Sequence, residues 1–407
     1  MLFAAAYVLA DTAYAGTAAL SNRVEVRARD TEGVLGVDVV DVPTAHVDVT
    51  NRRWEYTLDY SANAVLPDLE LGVSPQLLQL GALGVSWRNR RVRIGLTEYG
   101  SYGEQNSGYL LGGAPAAAVP PPTVTPVGGG TQLLAEPVTL LYGSSRTVLA
   151  SQVVFSRRWS GTASIEYWMQ GGVDAASQAY LPFVSGPRAD ASATYALTRI
   201  DSLQTRASGL ESSSTNAPCS PAAIGVRTSL PCDPTAQEAI ATETWQHHLS
   251  PEWTSALGAG AAWVRLKLQA PQLYSTFVYP VGSASIERAT GPVENRNIVR
   301  LEALVTPVLD VRIGLLDERG QATLDVSQQF GKTKLTSRVT GTRSLDSQLM
   351  QPVTGFGASL ETEVQVSTVV SVGGGIRYAW QEQDNIGTLS GGYIFAGVTL
   401  RAPEIHF

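Results

Sequence analysis

Charged residues are scarce in this chain of 407 residues, and their scarcity limits the classes of protein to which the chain can belong. Asp, Glu, Lys and Arg make up 16% of the sequence, whereas soluble globular proteins have roughly 25%. After the N-terminus, no apolar run approaches the ~20 residues that a transmembrane helix needs. The net charge is -7 and there is no block of Lys and Arg, which argues against nucleic acid as a partner. Such a chain can cross a membrane only with shorter strands that close into a barrel.

Cysteine and histidine are also rare, with two and four residues respectively. Cys219 and Cys232 lie in one Ser/Pro-rich segment, and we predict that they form a disulfide in an oxidising compartment; two unrelated thiols are the alternative. His247 and His248 stand near Ser250, but the surrounding sequence offers no third group for a hydrolase triad. Adjacent residues of a strand point to opposite faces, so the two histidines make a poor metal site. No Gly-rich phosphate loop is present, and we expect no enzyme activity, no cofactor and no metal.

The most informative stretch runs from Arg53 to Ala64 and reads RWEYTLDYSANA. A β-strand sends alternate side chains to opposite faces, and here every apolar side chain falls on one face. The stretch is therefore predicted to be a strand between lipid and water. The apolar set is Trp54, Tyr56, Leu58, Tyr60, Ala62 and Ala64, and the polar set is Arg53, Glu55, Thr57, Asp59, Ser61 and Asn63.

The same alternation recurs along the chain and predicts about eighteen strands, give or take two. It is poor in the ninth, tenth and twelfth of these strands. Predicted links after even-numbered strands are tight and those after odd-numbered strands are long, which is the pattern of periplasmic turns and external loops. We therefore predict an all-β fold, a single transmembrane antiparallel up-and-down β-barrel formed by residues 16–407.

Five segments are predicted to lie between or outside strands. Residues 1–15 are apolar and end in a small-residue cleavage pattern, which predicts a truncated signal peptide; a short apolar strand is the alternative. Residues 104–143, rich in Pro, Gly and Ala, are predicted to form a long external loop, either outside the barrel or folded inward as a constriction. Residues 211–235 are the predicted disulfide loop, and residues 30–43 and 307–320 are predicted links.

Polar residues of the predicted strands are candidates for the lining of a water-filled pore. One interpretation is a basic wall, formed by arginines of the first, third and fifth strands with Arg377 and Arg401, that faces a more acidic wall. The other is that the charges pair across neighbouring strands. The predicted pore-lining residues are Arg23, Glu25, Arg27, Arg29, Arg53, Glu55, Asp59, Arg91, Arg93, Arg300, Glu302, Asp325, Lys334, Arg338, Glu361, Glu363 and Arg377.

Aromatic residues are predicted to face lipid or the membrane interface rather than a ligand. This set comprises Trp54, Tyr56, Tyr60, Trp87, Trp253, Trp263, Tyr378, Trp380 and Tyr393.

The C-terminal sequence YIFAGVTLRAPEIHF ends in the aromatic Phe407, as outer-membrane barrels generally do, although Pro403 interrupts its alternation. With this ending the chain resembles Gram-negative outer-membrane porin-type barrels over its whole length. Phrases such as LSPEWTSALGAGAAW and SQVVFSRRWSGTASIEYW resemble, more narrowly, the Wzp-like polysaccharide-export porins of myxobacteria. The resemblance implies an outer-membrane location, contact with lipid and lipopolysaccharide, assembly through the C-terminal strand, and periplasmic polysaccharide-export components as partners.

Three functions follow as hypotheses. The first is a channel or porin that passes polar solutes or polysaccharide through a water-filled lumen. The second is a structural or adhesive barrel with a blocked lumen and ligand-binding external loops, and the third is a lipid-modifying enzyme. Conductance in a planar bilayer separates the first from the second.

Overall fold

The computed structural model describes residues 15–31, 34–67, 75–106, 139–215, 233–268, 273–292, 295–310, 315–346, 353–383 and 387–407. Eighteen long strands hydrogen-bond in sequence order, each antiparallel to the next, and β18 pairs with β1. The predicted fold class and strand number are confirmed. A two-residue strand, β19, adds to β1 at the C-terminus. The strands are β1 Ala15–Thr31, β2 Val34–Thr50, β3 Trp54–Leu66, β4 Gln76–Arg88, β5 Val92–Asn106, β6 Thr139–Val154, β7 Trp159–Gly172, β8 Phe183–Ala196, β9 Asp201–Thr215, β10 Thr235–His248, β11 Trp253–Leu268, β12 Leu273–Thr290, β13 Asn297–Asp310, β14 Leu315–Phe330, β15 Thr333–Asp346, β16 Val353–Gln365, β17 Val370–Gln383, β18 Gly387–Arg401 and β19 Ile405–His406.

One short helix, α1, spans Ala175–Tyr180 in the link between β7 and β8. The backbone N–H of Ser177 donates to the Asp174 carboxylate at 2.7 Å and caps its first turn. This bond holds the pKa of Asp174 below its usual value. No helix in the described ranges is long and apolar enough to cross a membrane.

Burial shows which face of the wall is the interior. On β1, the Glu25 and Arg27 side chains are buried, and the outside of a wall made of one sheet offers nothing that could bury them. Val24 and Val26 lie on the other face and are 42% and 50% exposed. An apolar exterior of this kind is stable only against lipid. The barrel is therefore a transmembrane barrel.

Links at the two ends of the barrel differ in length, as predicted, but less regularly. Links after even-numbered strands define what we call the turn side and are all short. Links after odd-numbered strands define the loop side and are long only between β3 and β10. The turn-side links are residues 51–53, 89–91, 155–158, 197–200, 249–252, 291–296, 331–332 and 366–369, and the loop-side links are 32–33, 67–75, 107–138, 173–182, 216–234, 269–272, 311–314, 347–352 and 384–386.

Two predicted links are strand. Residues 30–43 belong almost entirely to β1 and β2, which pair from Ala15↔Thr50 to Thr31↔Val34. Here Val40 is interior and fully buried while Asp41 faces outward, so the alternation is inverted and hides the strand. Residues 307–320 are also mostly strand, because β13 continues to Asp310 and β14 begins at Leu315.

The ends of the predicted loops are corrected as well. Strand β5 continues to Asn106 and β6 begins at Thr139, so the link is shorter than residues 104–143. Strands β9 and β10 likewise reach Thr215 and begin at Thr235. Residues 1–14, which are all but the last residue of the predicted signal peptide 1–15, and residues 216–232, with Cys219 and Cys232, lie outside the described ranges. Signal peptide, disulfide and loop position stay predictions.

Candidate functional site

The interior wall of the barrel carries a series of ion pairs, the most buried of which lies at the seam between β1, β2 and β18. Glu25 accepts from Arg27 at 2.9 Å and also contacts Arg23. Arg29 donates to the fully buried Asp38 of β2 at 3.1 Å. The Arg27 guanidinium lies 5.1 Å from the ring centroid of Tyr393 on β18. Charge pairing and ring stacking thus join the first strand to the last.

Further ion pairs continue this pattern around the wall. Most of them join residues on adjacent strands or two strands apart, as expected where side chains on one face of a sheet are neighbours. Arg377 pairs with Glu361, and the N···O distances of the other pairs are 2.7 Å for Arg93–Glu55, 2.7 Å for Arg146–Glu166, 2.6 Å for Arg206–Asp190, 2.9 Å for Arg300–Glu302, 2.5 Å for Arg338–Asp325 and 2.6 Å for Arg401–Glu363.

These contacts favour pairing over a basic wall facing an acidic one. Arg377 and Arg401, two members of the predicted basic wall, are each bound to a glutamate. A paired interior has less net charge than a wall of one sign and remains rich in hydrogen-bonding groups. It can therefore contact a hydroxyl-rich solute without holding it through one dominant charge.

Most of the predicted pore-lining residues share this interior face. The register places Lys334 opposite Glu363 and Asp59 opposite His46, whose Nδ1 lies 2.6 Å from Asp59 Oδ1. Two of the predicted residues lie elsewhere. Arg53 and Arg91 are in the turns before β3 and β5, because those strands begin at Trp54 and Val92.

The aromatic set is placed on the exterior with one exception. Trp54 and Trp87 are opposite each other on the outer face. Tyr393, in contrast, lies opposite Arg29 and Arg377 and faces the interior. It belongs to the wall that its arginine neighbours form, and its prediction as a lipid-facing residue is wrong.

The sequence interpretation missed an apolar cluster on the interior face of β7 to β12, near the loop side. Strands β10 and β11 approach β14 as well as their hydrogen-bonded neighbours. Residues Leu210, Ile240 and Phe277 pack against the cluster. Both faces of β12 are apolar here, so its alternation is lost, whereas the outer faces of β9 and β10 carry polar residues such as Glu211 and Glu243. The cluster comprises Trp168, Val184, Ala236, Ala262, Val264, Leu266, Tyr279 and Val281.

Charged residues beside this cluster were also missed. Arg146 and Glu166 form a pair in which the carboxylate is buried. Arg188 lies opposite both Glu166 and Leu210, and Glu238 lies opposite Leu210 from the other side. The alternation Arg188-Ala189-Asp190-Ala191 was the signal that could have identified the β8 residues.

A concave surface of about 790 Å³ lies outside the lumen. Ala284, Ala303, Ala322 and Gly341 follow one another across four strands of the exterior face. Their small side chains lower the outer surface between bulkier neighbours such as Phe356. The pocket is therefore a depression in the lipid-facing wall.

Several solved structures are similar to this chain at low sequence identity. OpdL of Pseudomonas aeruginosa is 11% identical over 97% of this chain and 99% of that chain, with a TM-score of 0.45. OpdQ of the same species is 9% identical over 95% and 98%, with a TM-score of 0.47. For the FrpB iron transporter of Neisseria meningitidis the values are 9%, 90% and 62%, with a TM-score of 0.48, so the chain spans less than two thirds of it. We draw no argument about function from these likenesses.

A search of curated protein sequences finds no match. The predicted location is nevertheless confirmed, since closed antiparallel barrels with an apolar exterior and short turns at one end are proteins of the Gram-negative outer membrane. The model of the EpsX exopolysaccharide export family matches residues 5–227. That match covers more than half of the sequence, and the chain therefore belongs to the EpsX exopolysaccharide export family.

Proposed function

We propose that the barrel is an outer-membrane channel through which an exopolysaccharide leaves the cell. The observation that carries the proposal is the interior wall of cross-strand ion pairs, which lines a closed barrel of eighteen long strands. Barrels of 16–18 strands are wide enough for an aqueous channel. The family to which the chain belongs is described by exopolysaccharide export, which supports polysaccharide as the cargo.

Chemistry of the wall suits a sugar polymer. Guanidinium and carboxylate groups can donate to and accept from hydroxyl groups, while their mutual pairing limits trapping of a charged segment. No covalent step is involved. The role of the protein is to provide a continuous polar surface across the lipid.

The test is conductance of the purified chain in planar bilayers, followed by block with a polysaccharide. We expect stable open steps that dextran fragments added to one chamber interrupt. Heat-modifiable gel migration serves as the control for folding. If correctly folded protein shows no conductance at any voltage, the channel function is contradicted.

A structural barrel with a closed lumen is the second candidate, because the interior apolar cluster near the loop side is fully buried at Val184, Ala236 and Val264. This candidate predicts folded but silent protein. Substituting Val264 with Asp would distinguish a closed gate from a permanent seal. Channels that appear only in this variant would identify the cluster as the barrier.

A further inference from the structure

The turn side carries a concentration of arginines that the mechanism above does not use. Four consecutive turns, from β2–β3 to β8–β9, contain them, and all are exposed. None forms an ion pair with a described residue. The same four turns contain no carboxylate. We call the set the arginine rim; it consists of Arg52, Arg53, Arg90, Arg91, Arg157, Arg158 and Arg199.

The turns that carry the arginines of the rim share one backbone geometry, in which a side chain caps the turn. In the first turn, Asn51 Oδ1 accepts from the backbone N–H groups of Arg53 and Trp54, both at 2.9 Å. Asn89 Oδ1 does the same in the next turn, with two distances of 2.7 Å. Such side-chain caps hold the turn in one conformation. The arginine side chains therefore project from a rigid backbone.

The third and fourth turns repeat this cap with hydroxyl groups. Ser156 Oγ accepts from the backbone of Arg158 at 3.2 Å, and Thr198 Oγ1 accepts from Ile200 at 3.1 Å. Two turns on the other arc use the same cap without arginine. Ser250 and Ser367 each accept from the residue two positions on. The cap thus serves the turn, and the arginines that follow it occur in the four turns of the rim but not in these two capped turns of the other arc.

Two further arginines lie inside the mouth of the barrel, next to the rim. Arg88 and Arg93 are directly opposite each other on the interior face of β4 and β5. Like charges at opposite positions destabilise a sheet, and two interior carboxylates offset them: Glu55 lies 2.7 Å from Arg93, and Asp48 is within electrostatic range of Arg88. The excess of positive charge at this end therefore lies in the four turns of the rim, which contain no carboxylate.

Size and chemistry of the rim fit a charged polymer. Neighbouring turns are two strands apart, so four turns extend over roughly 30 Å at ~4.8 Å per strand. A guanidinium binds carboxylate or phosphate with two parallel hydrogen bonds and keeps its charge at any physiological pH. Lipid head groups would contact the outside of the rim but not Arg88 and Arg93, which lie on the interior. The position favours an occupant that passes through the mouth.

We propose that the arginine rim captures an anionic polysaccharide, a sugar polymer bearing carboxylate or phosphate groups, and guides it into the lumen from the turn side. This inference rests on the proposed export function and specifies its substrate class. Clustered charge at a mouth raises the local concentration of an oppositely charged solute. The paired interior then lets the polymer move on.

The test uses the purified full chain in detergent and a fluorescent oligogalacturonate as the anionic probe, with dextran fragments of equal length as the neutral probe. Fluorescence anisotropy measures binding, so the result does not depend on conductance. Arg52→Gln, Arg90→Gln and Arg157→Gln together remove one arginine from the same position of three turns. The matched control removes three cations from the other arc by Arg288→Gln, Arg296→Gln and Lys332→Gln.

We expect the first triple variant to bind oligogalacturonate about tenfold more weakly than the wild type, the control to change much less, and dextran to be unaffected. Binding should also weaken towards ~1 M salt, where the Debye length is about 3 Å. In bilayers, oligogalacturonate should block the wild type from one chamber at a higher rate than dextran does.

Three results would overturn the proposal. One is equal binding of the anionic and neutral probes. Another is an equal loss of oligogalacturonate binding in both triple variants, which would mean that binding depends on the net charge of the protein and not on the position of the rim. The third is unchanged oligogalacturonate binding with weaker binding to phosphatidylglycerol vesicles, which would identify a lipid site. A silent wild type that still binds oligogalacturonate through the rim would contradict the export channel and leave the capture surface intact.

Discussion

Replacing Glu25 with Gln tests whether the ion pairs of the interior wall stabilise the barrel where they are buried. The Glu25 and Arg27 side chains are 3% and 6% exposed and lie 2.9 Å apart. Gln keeps the volume and one acceptor but removes the charge. The Arg27 guanidinium would then lose the carboxylate that compensates its burial, although the ring of Tyr393 would remain beside it.

The expected loss follows from the burial of the pair. Removing one partner of a buried ion pair typically destabilises a protein by 3–5 kcal/mol, and the retained acceptor places Glu25→Gln near the lower end, at about 3 kcal/mol. Glu302→Gln is the matched control, since Glu302 pairs with Arg300 at the same 2.9 Å but the two side chains are 40% and 45% exposed. There the loss should stay below about 1 kcal/mol.

Urea unfolding of both variants in lipid vesicles, followed by tryptophan fluorescence, measures the difference. Gel migration with and without boiling confirms that each variant forms a barrel. The reasoning is refuted if the two substitutions reduce the free energy of unfolding equally, or if Glu25→Gln costs under about 1 kcal/mol. Either result would mean that the seam is held by backbone hydrogen bonds and packing alone.

Two further predictions concern close backbone approach and a helix cap. A side chain at Gly186 would clash with the backbone oxygen of Glu211, whereas Gly341 has nothing within 4 Å. Gly186→Ala should therefore cost about 1–3 kcal/mol of unfolding free energy and Gly341→Ala almost nothing; equal effects would contradict the strand spacing. The lowered pKa of Asp174 means that its cap on α1 is fully present above its unfolded pKa of about 3.9 and is lost as pH falls through the native pKa. The amide resonance of Ser177 should shift in that acid range, and Asp174→Ala should abolish the shift; a shift that survives the substitution would have another cause.

Strand β3 shows how well alternation predicts a transmembrane strand. The predicted stretch Arg53–Ala64 differs from the observed Trp54–Leu66 by one or two residues at each end. The small difference at the start matters for function, because it moves Arg53 from the wall into a turn. Local alternation could not locate that boundary, since the Asn51 cap that starts the strand depends on backbone geometry.

Strands with apolar interiors were the ones that sequence reasoning described poorly. Tyr279 and Val281 of β12 face the interior and are apolar, and the neighbouring residue Val278, which faces the exterior, is apolar too. Their environment comes from residues of other strands, such as Ala236 of β10 and Val264 of β11, which the local pattern of β12 does not contain. The alternation of apolar and polar residues therefore disappears where the interior face is apolar. Its absence in a strand indicates that the interior face is packed.

By itself, the sequence determined the fold class, the strand number and which side chains share a face, because alternation reflects the local geometry of each strand. It also determined that the wall would separate an apolar from a polar environment. Only the tertiary structure decided the partners of each charge, since pairing requires the register between strands and the closure of β18 on β1. For the same reason, only the folded barrel separates the paired arginines of the wall from the unpaired arginines of the rim.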